Sequence, residues 1–184
     1  ATGADLRWMI GEESWVEAEY ARSEGPGFGN SYSADGGLTI VTGGPGGGTG
    51  DAARVEARLA FDDLGLAGEG SLGVWAERRS AGFSTLDHDV TADEEIAGFE
   101  AEGDLTDRLS FRALAEHYRQ DGGKKLSEVL LEGSYKVSER LTFSAGLLHE
   151  DRIEPGKARN IGKRTDLAVK ARFKESERFT WYVF

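Results

Sequence analysis

The residues whose types could do chemistry are concentrated in one acidic stretch, residues 87–95. A histidine between carboxylates gains basicity and can share a metal ion with them, and carboxylate oxygens alone can hold Ca²⁺ or Mg²⁺. The stretch lacks the spacing of a defined calcium loop, so a solvated surface loop is the alternative interpretation. The candidate metal-binding residues are Asp87, His88, Asp89, Asp93 and Glu94.

Nothing else in the sequence forms a catalytic set. His117 and His149 fall in predicted strands, and no nucleophile, base and orienting group can be assembled around them. The glycine-rich residues 43–50 lack the lysine and the following helix of a phosphate-binding loop, so we interpret them as part of a flexible connection. We therefore expect no catalytic residues, no cofactor and no enzymatic activity.

Composition and charge narrow the class of protein. The 184 residues carry a formal net charge of -11, which argues against nucleic acid as a partner because phosphate binding needs a basic surface. No apolar run approaches the ~20 residues of a membrane-spanning helix. Membrane-spanning strands need only ~9–11 alternating residues, so a β-barrel is compatible with the composition. The absence of cysteine fits an oxidising envelope compartment.

Residues 128–150 show the clearest local pattern. Apolar residues or glycine occupy every second position from Val129 to Tyr135 and again from Leu141 to Leu147, and most positions between them are polar. A polar turn at 137–140 separates the two runs. Because alternate side chains of a strand point to opposite faces, the pattern predicts a β-hairpin with one apolar and one polar face.

One six-residue pattern occurs at residues 106–111, 138–143 and 176–181: hydroxyl, acid, arginine, apolar, hydroxyl, aromatic. The acid and the arginine suit a solvated turn at a membrane face, and the apolar and aromatic residues then enter lipid at alternate positions. Each copy is predicted to open a strand.

Extending the alternation along the chain predicts about ten strands, and it assigns each side chain to a face. The predicted lipid-facing residues are Val16, Tyr20, Val55, Leu59, Phe61, Phe111, Val129, Leu131, Leu141, Phe143, Leu167, Val169, Phe173 and Trp181. The predicted lumen-facing charges are Glu17, Glu19, Arg54, Glu56, Arg58, Glu77, Arg112, Glu116, Glu128, Glu132, Lys170 and Arg172.

The predicted connections alternate between short turns and long segments at about 23–51, 79–94, 119–125 and 151–165. Short turns on one rim and long loops on the other are typical of bacterial outer-membrane barrels. We therefore predict an all-β, antiparallel up-and-down transmembrane β-barrel, with 1–184 as one segment and 23–51 and 79–94 as long external loops. Both chain ends fall on the long-loop rim, so we expect an internal excerpt of a larger barrel, with Phe184 an arbitrary stopping point.

Residues 4–8, 17–25 and 81–87 resemble the barrel region of large modular proteobacterial outer-membrane proteins. The Ser-Glu-Arg-Leu-Thr turn at 138–142 is similar to turns of TonB-dependent receptor-type barrels. The resemblance implies a barrel in the bacterial outer membrane.

These observations lead to three hypotheses of function. The first is a structural or pore-forming, porin-like barrel segment, whose partners are outer-membrane lipid, lipopolysaccharide and the remaining strands of a larger barrel or another envelope subunit. In this hypothesis a cation held at 87–95 would bridge to lipopolysaccharide phosphates. The second is a surface protein that binds a partner through its long external loops. The third is a soluble β-sandwich binding module.

Overall fold

A computed structural model describes residues 2–26, 47–85, 89–176 and 179–183. Strands make up most of this part of the chain, with one short helix after the third strand and one 3-10 turn before the ninth. The elements are β1 (Thr2–Met9), β2 (Trp15–Pro26), β3 (Gly47–Ala60), α1 (Phe61–Leu64), β4 (Glu69–Arg79), β5 (Glu94–Thr106), β6 (Leu109–Gln120), β7 (Lys124–Lys136), β8 (Leu141–Ile153), the 3-10 turn (Ala158–Asn160), β9 (Gly162–Ser176) and β10 (Phe179–Val183).

The ten strands form a single antiparallel sheet in which each strand pairs with its neighbours in sequence. The prediction of an all-β antiparallel sheet of ten strands is confirmed for the described residues. β1 and β10 are the two edges of this sheet and do not pair with each other. Closure into a barrel is therefore not part of the observed fold and stays a prediction.

Alternation gives the sheet two unlike faces. Directly paired residues of neighbouring strands share a face, so we call a set of such residues running across the sheet a row. One row consists of Leu59, Leu72, Ala101, Ala113, Leu131, Leu147 and Leu167. We call the face that carries this row the apolar face, and the opposite face the charged face.

The two faces differ in exposure. On the apolar face Leu6 is 70% exposed and Leu167 is 77% exposed. On the charged face the side chains of Glu17 and Glu77 are only 18% and 10% exposed. These carboxylates of the charged face are therefore more sheltered from solvent than these leucines of the apolar face.

The described residues contain almost no hydrophobic core. Their buried hydrophobic side chains are Ala60, Phe61, Phe83, Val90 and Ala101. Within the described ranges, Phe61 of α1 covers one end of the apolar face, and no second layer covers the rest of it. No helix in the described ranges is long and apolar enough to cross a lipid bilayer.

The repeated six-residue pattern has a structural reason. In two copies the leading hydroxyl accepts hydrogen bonds from backbone amides two and three residues later: Thr106 Oγ1 at 3.3 and 3.1 Å, and Ser138 Oγ at 3.3 and 3.2 Å. The arginine carbonyl then accepts the amide of the neighbouring strand, Arg108 from Lys136 and Arg140 from Lys174. The pattern therefore closes each turn and joins it to the next hairpin.

The carboxylate of Asp63 connects the β1–β2 turn to the β3–β4 turn, which lie at the same end of the sheet. Asp63 of α1 accepts the backbone N–H groups of Glu12, Glu13 and Ser14 at 2.9, 3.0 and 2.8 Å. A hydrogen bond from the Ser14 hydroxyl, followed by those of the amides, lowers the pKa of Asp63 to about 2. Gly11 leaves room for this contact, because a Cβ there would lie 2.3 Å from the carboxylate.

Several predicted boundaries were wrong. The long connection at 119–125 is a three-residue turn at 121–123, closed by Gly122 and Gly123 with φ of 96° and 92°. Residues 47–50, predicted as flexible loop, belong to β3 and pair with the end of β2. Phe61 does not continue β3 but begins α1, where it is buried beside Phe111, with 6.3 Å between the ring centroids. Residues 27–46, including residues 43–46 of the predicted loop, lie outside the described residues.

Candidate functional site

The twelve predicted lumen-facing charges share one face of the sheet. The register places Glu17 opposite Glu56, Glu19 opposite Arg54, and Arg54 opposite Glu77. Glu116 and Glu128 continue the row of Glu17 and Glu56. The remaining members lie in other rows of the same face: Arg58, Arg112, Glu132, Lys170 and Arg172. The predicted lipid-facing side chains occupy the other face, and Phe61, although it belongs to α1, also packs on that face against Phe111, Gly70 and Gly103. Which face meets lipid and which meets a lumen stays a prediction.

An ion-pair network crosses the charged face near its long-loop end. Arg54 contacts Glu56 at 2.6 Å and Glu77 at 3.2 Å, and Arg79 forms a second ion pair with Glu77. Arg79 also lies 3.9 Å from Glu94. The network thus joins three strands through alternating charges, and the carboxylates of Glu77 and Glu94 are sheltered from solvent.

Glu94 extends this network to β6. Its carboxylate accepts hydrogen bonds from the Tyr118 hydroxyl at 3.1 Å and the Gln120 amide at 3.2 Å. Its side chain is only 5% exposed. A carboxylate this sheltered needs such donors, because an unpaired charge out of water is costly.

A second group of charges lies nearer the short-turn end. Arg58 is 3.8 Å from Glu100 and 3.7 Å from Glu102, and it donates a hydrogen bond to Ser71 at 3.0 Å. Between the two groups the Trp75 ring lies directly against Gly98, where a Cβ would be 2.0 Å from the ring. On the charged face, the Trp75 ring therefore separates these two groups of paired charges.

The charged face also carries leucines that the alternation did not assign to it. Leu114, Leu130 and Leu148 form one row across β6, β7 and β8. Each is half-buried. These positions follow from the same period of two that places Val129 and Leu131 on the apolar face. The sequence signal was available at Leu130 and Leu148, but a polar face was not expected to contain them.

The connection between β4 and β5 folds back on itself. Gly82 N–H donates to the Val90 carbonyl and Val90 N–H to the Phe83 carbonyl, both at 2.8 Å. Phe83 and Val90 are 8% and 3% exposed. At its base the Asp93 carboxylate accepts the Ala81 amide at 2.8 Å. This hydrogen bond, together with nearby Arg78, lowers the pKa of Asp93.

This connection lies on the charged face. Ser84 N–H donates to the Ser23 hydroxyl of β2 at 2.8 Å, and both side chains are buried. At Gly50 of β3, which shares the row of Ser23, a Cβ would lie 2.0 Å from the Phe83 nitrogen. The connection therefore covers the upper part of β2 and β3. A cavity of about 290 Å³ lies between Phe83 and the Arg54 network below it.

The candidate metal ligands do not converge in the described part of the chain. Asp89 hydrogen-bonds the Ser84 hydroxyl, whereas Asp93 and Glu94 make the contacts given above. In the described ranges no three histidine, aspartate or glutamate side chains are grouped as metal ligands would be. Asp87 and His88 lie outside the described residues.

The apolar residues of the apolar face form an oblique band. In the row that starts at Ala4, the residues are apolar or aromatic through β3 and charged from Arg78 of β4 to Lys125 of β7. In the next row, which starts at Leu6, they are apolar through Ala97 of β5 and polar from His117 of β6 onward.

The third row, which starts at Trp8, is apolar through Val129 of β7 and polar from His149 of β8. The boundary between apolar and polar residues therefore moves by one row for every two strands. One row corresponds to two residues along a strand. The aromatic residues of the repeated pattern shift equally: Phe111, Phe143 and Trp181 lie in three successive rows on β6, β8 and β10. The band is shifted by one residue per strand.

Comparison with protein-family models, with curated proteins and with solved structures found no match for this chain. The resemblance to TonB-dependent receptor-type barrels and to large modular outer-membrane proteins therefore stays a prediction.

Proposed function

We propose that this chain forms part of the wall of a bacterial outer-membrane β-barrel, with the apolar face in lipid and the charged face lining a water-filled pore. The oblique apolar band carries the proposal. Strands of a barrel are tilted from the membrane normal, so an apolar band parallel to the membrane must cross the hydrogen-bonded rows at an angle.

The size of the shift supports a membrane barrel. One residue per strand, with ~3.3 Å rise per residue and ~4.8 Å between strands, corresponds to a tilt of about 35°. Strands of membrane barrels tilt by ~35–45°. A soluble sandwich places no such requirement on its apolar face, and all described strands belong to one sheet. The sandwich hypothesis is therefore the less favoured.

The charged face supplies the features of a pore lining. The Arg54 network presents both signs of charge on the charged face, and the β4–β5 connection covers the part of that face above it. Charged rings and constrictions set which ions pass a pore. We propose that small hydrophilic solutes pass this section and that carboxylates such as Glu77 favour cations. Binding of a surface partner through the long loops stays a second prediction, without a contact that favours it.

Two measurements test the proposal on the full chain reconstituted in phosphatidylcholine vesicles. Polarised infrared spectroscopy of oriented membranes should give a strand tilt near 35°. Planar-bilayer recordings should show conductance whose cation preference falls in Glu77→Gln. The matched control Glu95→Gln removes the same charge from the apolar face and should leave the preference unchanged. A chain that stays outside the bilayer, or strands parallel to the normal, would overturn the proposal.

A further inference from the structure

The apolar face carries a shallow groove that ends at a row of charged residues. The groove has a volume of about 420 Å³ and is lined chiefly by Ala53, Val55, Ala76, Ala97 and His117. Arg78 and Glu95 stand at its upper end. The groove therefore combines an apolar floor with a charged head, at the boundary of the oblique band.

The charged head is locally cationic in an acidic chain. Arg78, Glu95, Arg119 and Lys125 are directly paired in one row across β4 to β7. Arg78 lies 3.3 Å from Asp93, and Arg119 lies 3.5 Å from Glu95. Three cations thus face two carboxylates, whereas the chain as a whole carries a net charge of -11.

These cations can reach a ligand. The side chains of Arg78 and Arg119 are 67% and 52% exposed, and their contacts with Asp93 and Glu95 lie at the surface. Exposed ion pairs of this kind are weak and exchange partners readily. An arginine guanidinium also matches the oxygen geometry of a phosphate, with two parallel hydrogen bonds.

We propose that this surface docks a lipid with an anionic phosphate headgroup, which contacts Arg78 and Arg119 while one acyl chain lies in the groove, and that Lys125 adds positive charge at the far end of the row. The inference rests on the proposed function, because it takes the apolar face to be in lipid. It adds a defined site. In the row that starts at Ala4, apolar residues give way to charged residues between Ala53 and Arg78, and we place the headgroup there. The groove extends from this point into the apolar band. Charge complementarity selects an anionic lipid over a zwitterionic one.

The experiment uses the full chain reconstituted in phosphatidylcholine vesicles that contain a minor fraction of phosphatidylglycerol. After mild detergent extraction, native mass spectrometry counts the lipids that remain bound. The test variant carries Arg78→Gln, Arg119→Gln and Lys125→Gln. The matched control carries Arg112→Gln, Arg172→Gln and Lys136→Gln, which removes three cations from the charged face.

The original chain should retain phosphatidylglycerol in preference to phosphatidylcholine, and the test variant should lose about tenfold or more of that preference. The control should keep it. A groove-filling variant with Ala76→Leu and Ala97→Leu should also retain less, although its charges are intact. An excess of inorganic phosphate should not displace the lipid, because phosphate alone cannot occupy the groove.

Unchanged retention in the test variant, or an equal loss in the control, would overturn the proposed site. Full retention in the groove-filling variant would likewise overturn it. A chain that does not enter vesicles of phosphatidylcholine alone would instead contradict the proposed function. The two failures are therefore distinguishable.

Discussion

Arginine substitutions at two valines of one row should lower the free energy of unfolding by very different amounts. Val74 of β4 and Val129 of β7 lie in the row that starts at Trp8, and they are 45% and 36% exposed. In the oblique band Val74 lies near mid-height, whereas Val129 borders the polar residue His149. Three strand spacings at a tilt of about 35° separate their depths by about 8 Å.

Arginine at the midplane of a membrane barrel costs about 2–4 kcal/mol, and near the interface about 0–1 kcal/mol. Val74→Arg should therefore lower the free energy of unfolding by about 2–4 kcal/mol, and Val129→Arg by no more than about 1 kcal/mol. Urea titration in phosphatidylcholine vesicles, followed by tryptophan fluorescence, measures both values. Val74→Ala and Val129→Ala correct for the lost side chain. Equal costs at the two positions would refute the oblique membrane boundary, because their exposures in the structure are similar.

Three further predictions concern the turns. The folded-state pKa of Asp63, about 2, lies below its ordinary value of 3.8, so its contribution to stability is present above pH 3.8 and lost as pH falls toward 2; the protection of the Ser14 amide against hydrogen exchange, relative to its intrinsic rate at each pH, should fall over that window, and Asp63→Asn should abolish the dependence. Gly11→Ala should lower the melting temperature because its Cβ would meet Asp63, whereas Gly133→Ala, with no neighbour within 4 Å, should leave it nearly unchanged; equal shifts would contradict the contact. Ser138→Ala removes the acceptor of two turn amides and should cost about 0.5–1.5 kcal/mol in urea titration; no loss would mean that the hydroxyl does not stabilise the turn.

The strands and their faces could be predicted from the sequence because the period of two is a local property. Alternation within one hairpin places Val129 and Leu131 on the same face as Leu141 and Phe143, independently of the rest of the chain. The observed register of β7 against β8 agrees with this prediction. The turn at 121–123 could also have been predicted, since Asp121, Gly122 and Gly123 form a tight-turn sequence. The polar residues on either side of it suit a strand and a loop equally, so the sequence pattern predicts a longer connection there than the structure has.

The remaining features depend on contacts between distant segments. The ion pairs of Arg54 with Glu56 and Glu77 require the register of β3 against β4, which alternation alone does not fix. The return of Phe83 onto β2 and β3 depends on space left by Gly50, and nothing near Phe83 in the sequence signals it. The oblique band appears only when nine registers are combined, so no single segment could reveal it.

The apolar band is shifted by the same amount from each strand to the next, and the hairpins are therefore structurally equivalent units. Phe111 and Phe143 occupy different rows, yet each stands at the same height above its own turn. A hairpin inserted or deleted as a unit would therefore keep the offset between all the other strands, and only the number of strands in the sheet would change. Duplication of such a unit is a simple route by which the sheet grows, and the recurrence of the six-residue pattern at three places is what that history would leave behind.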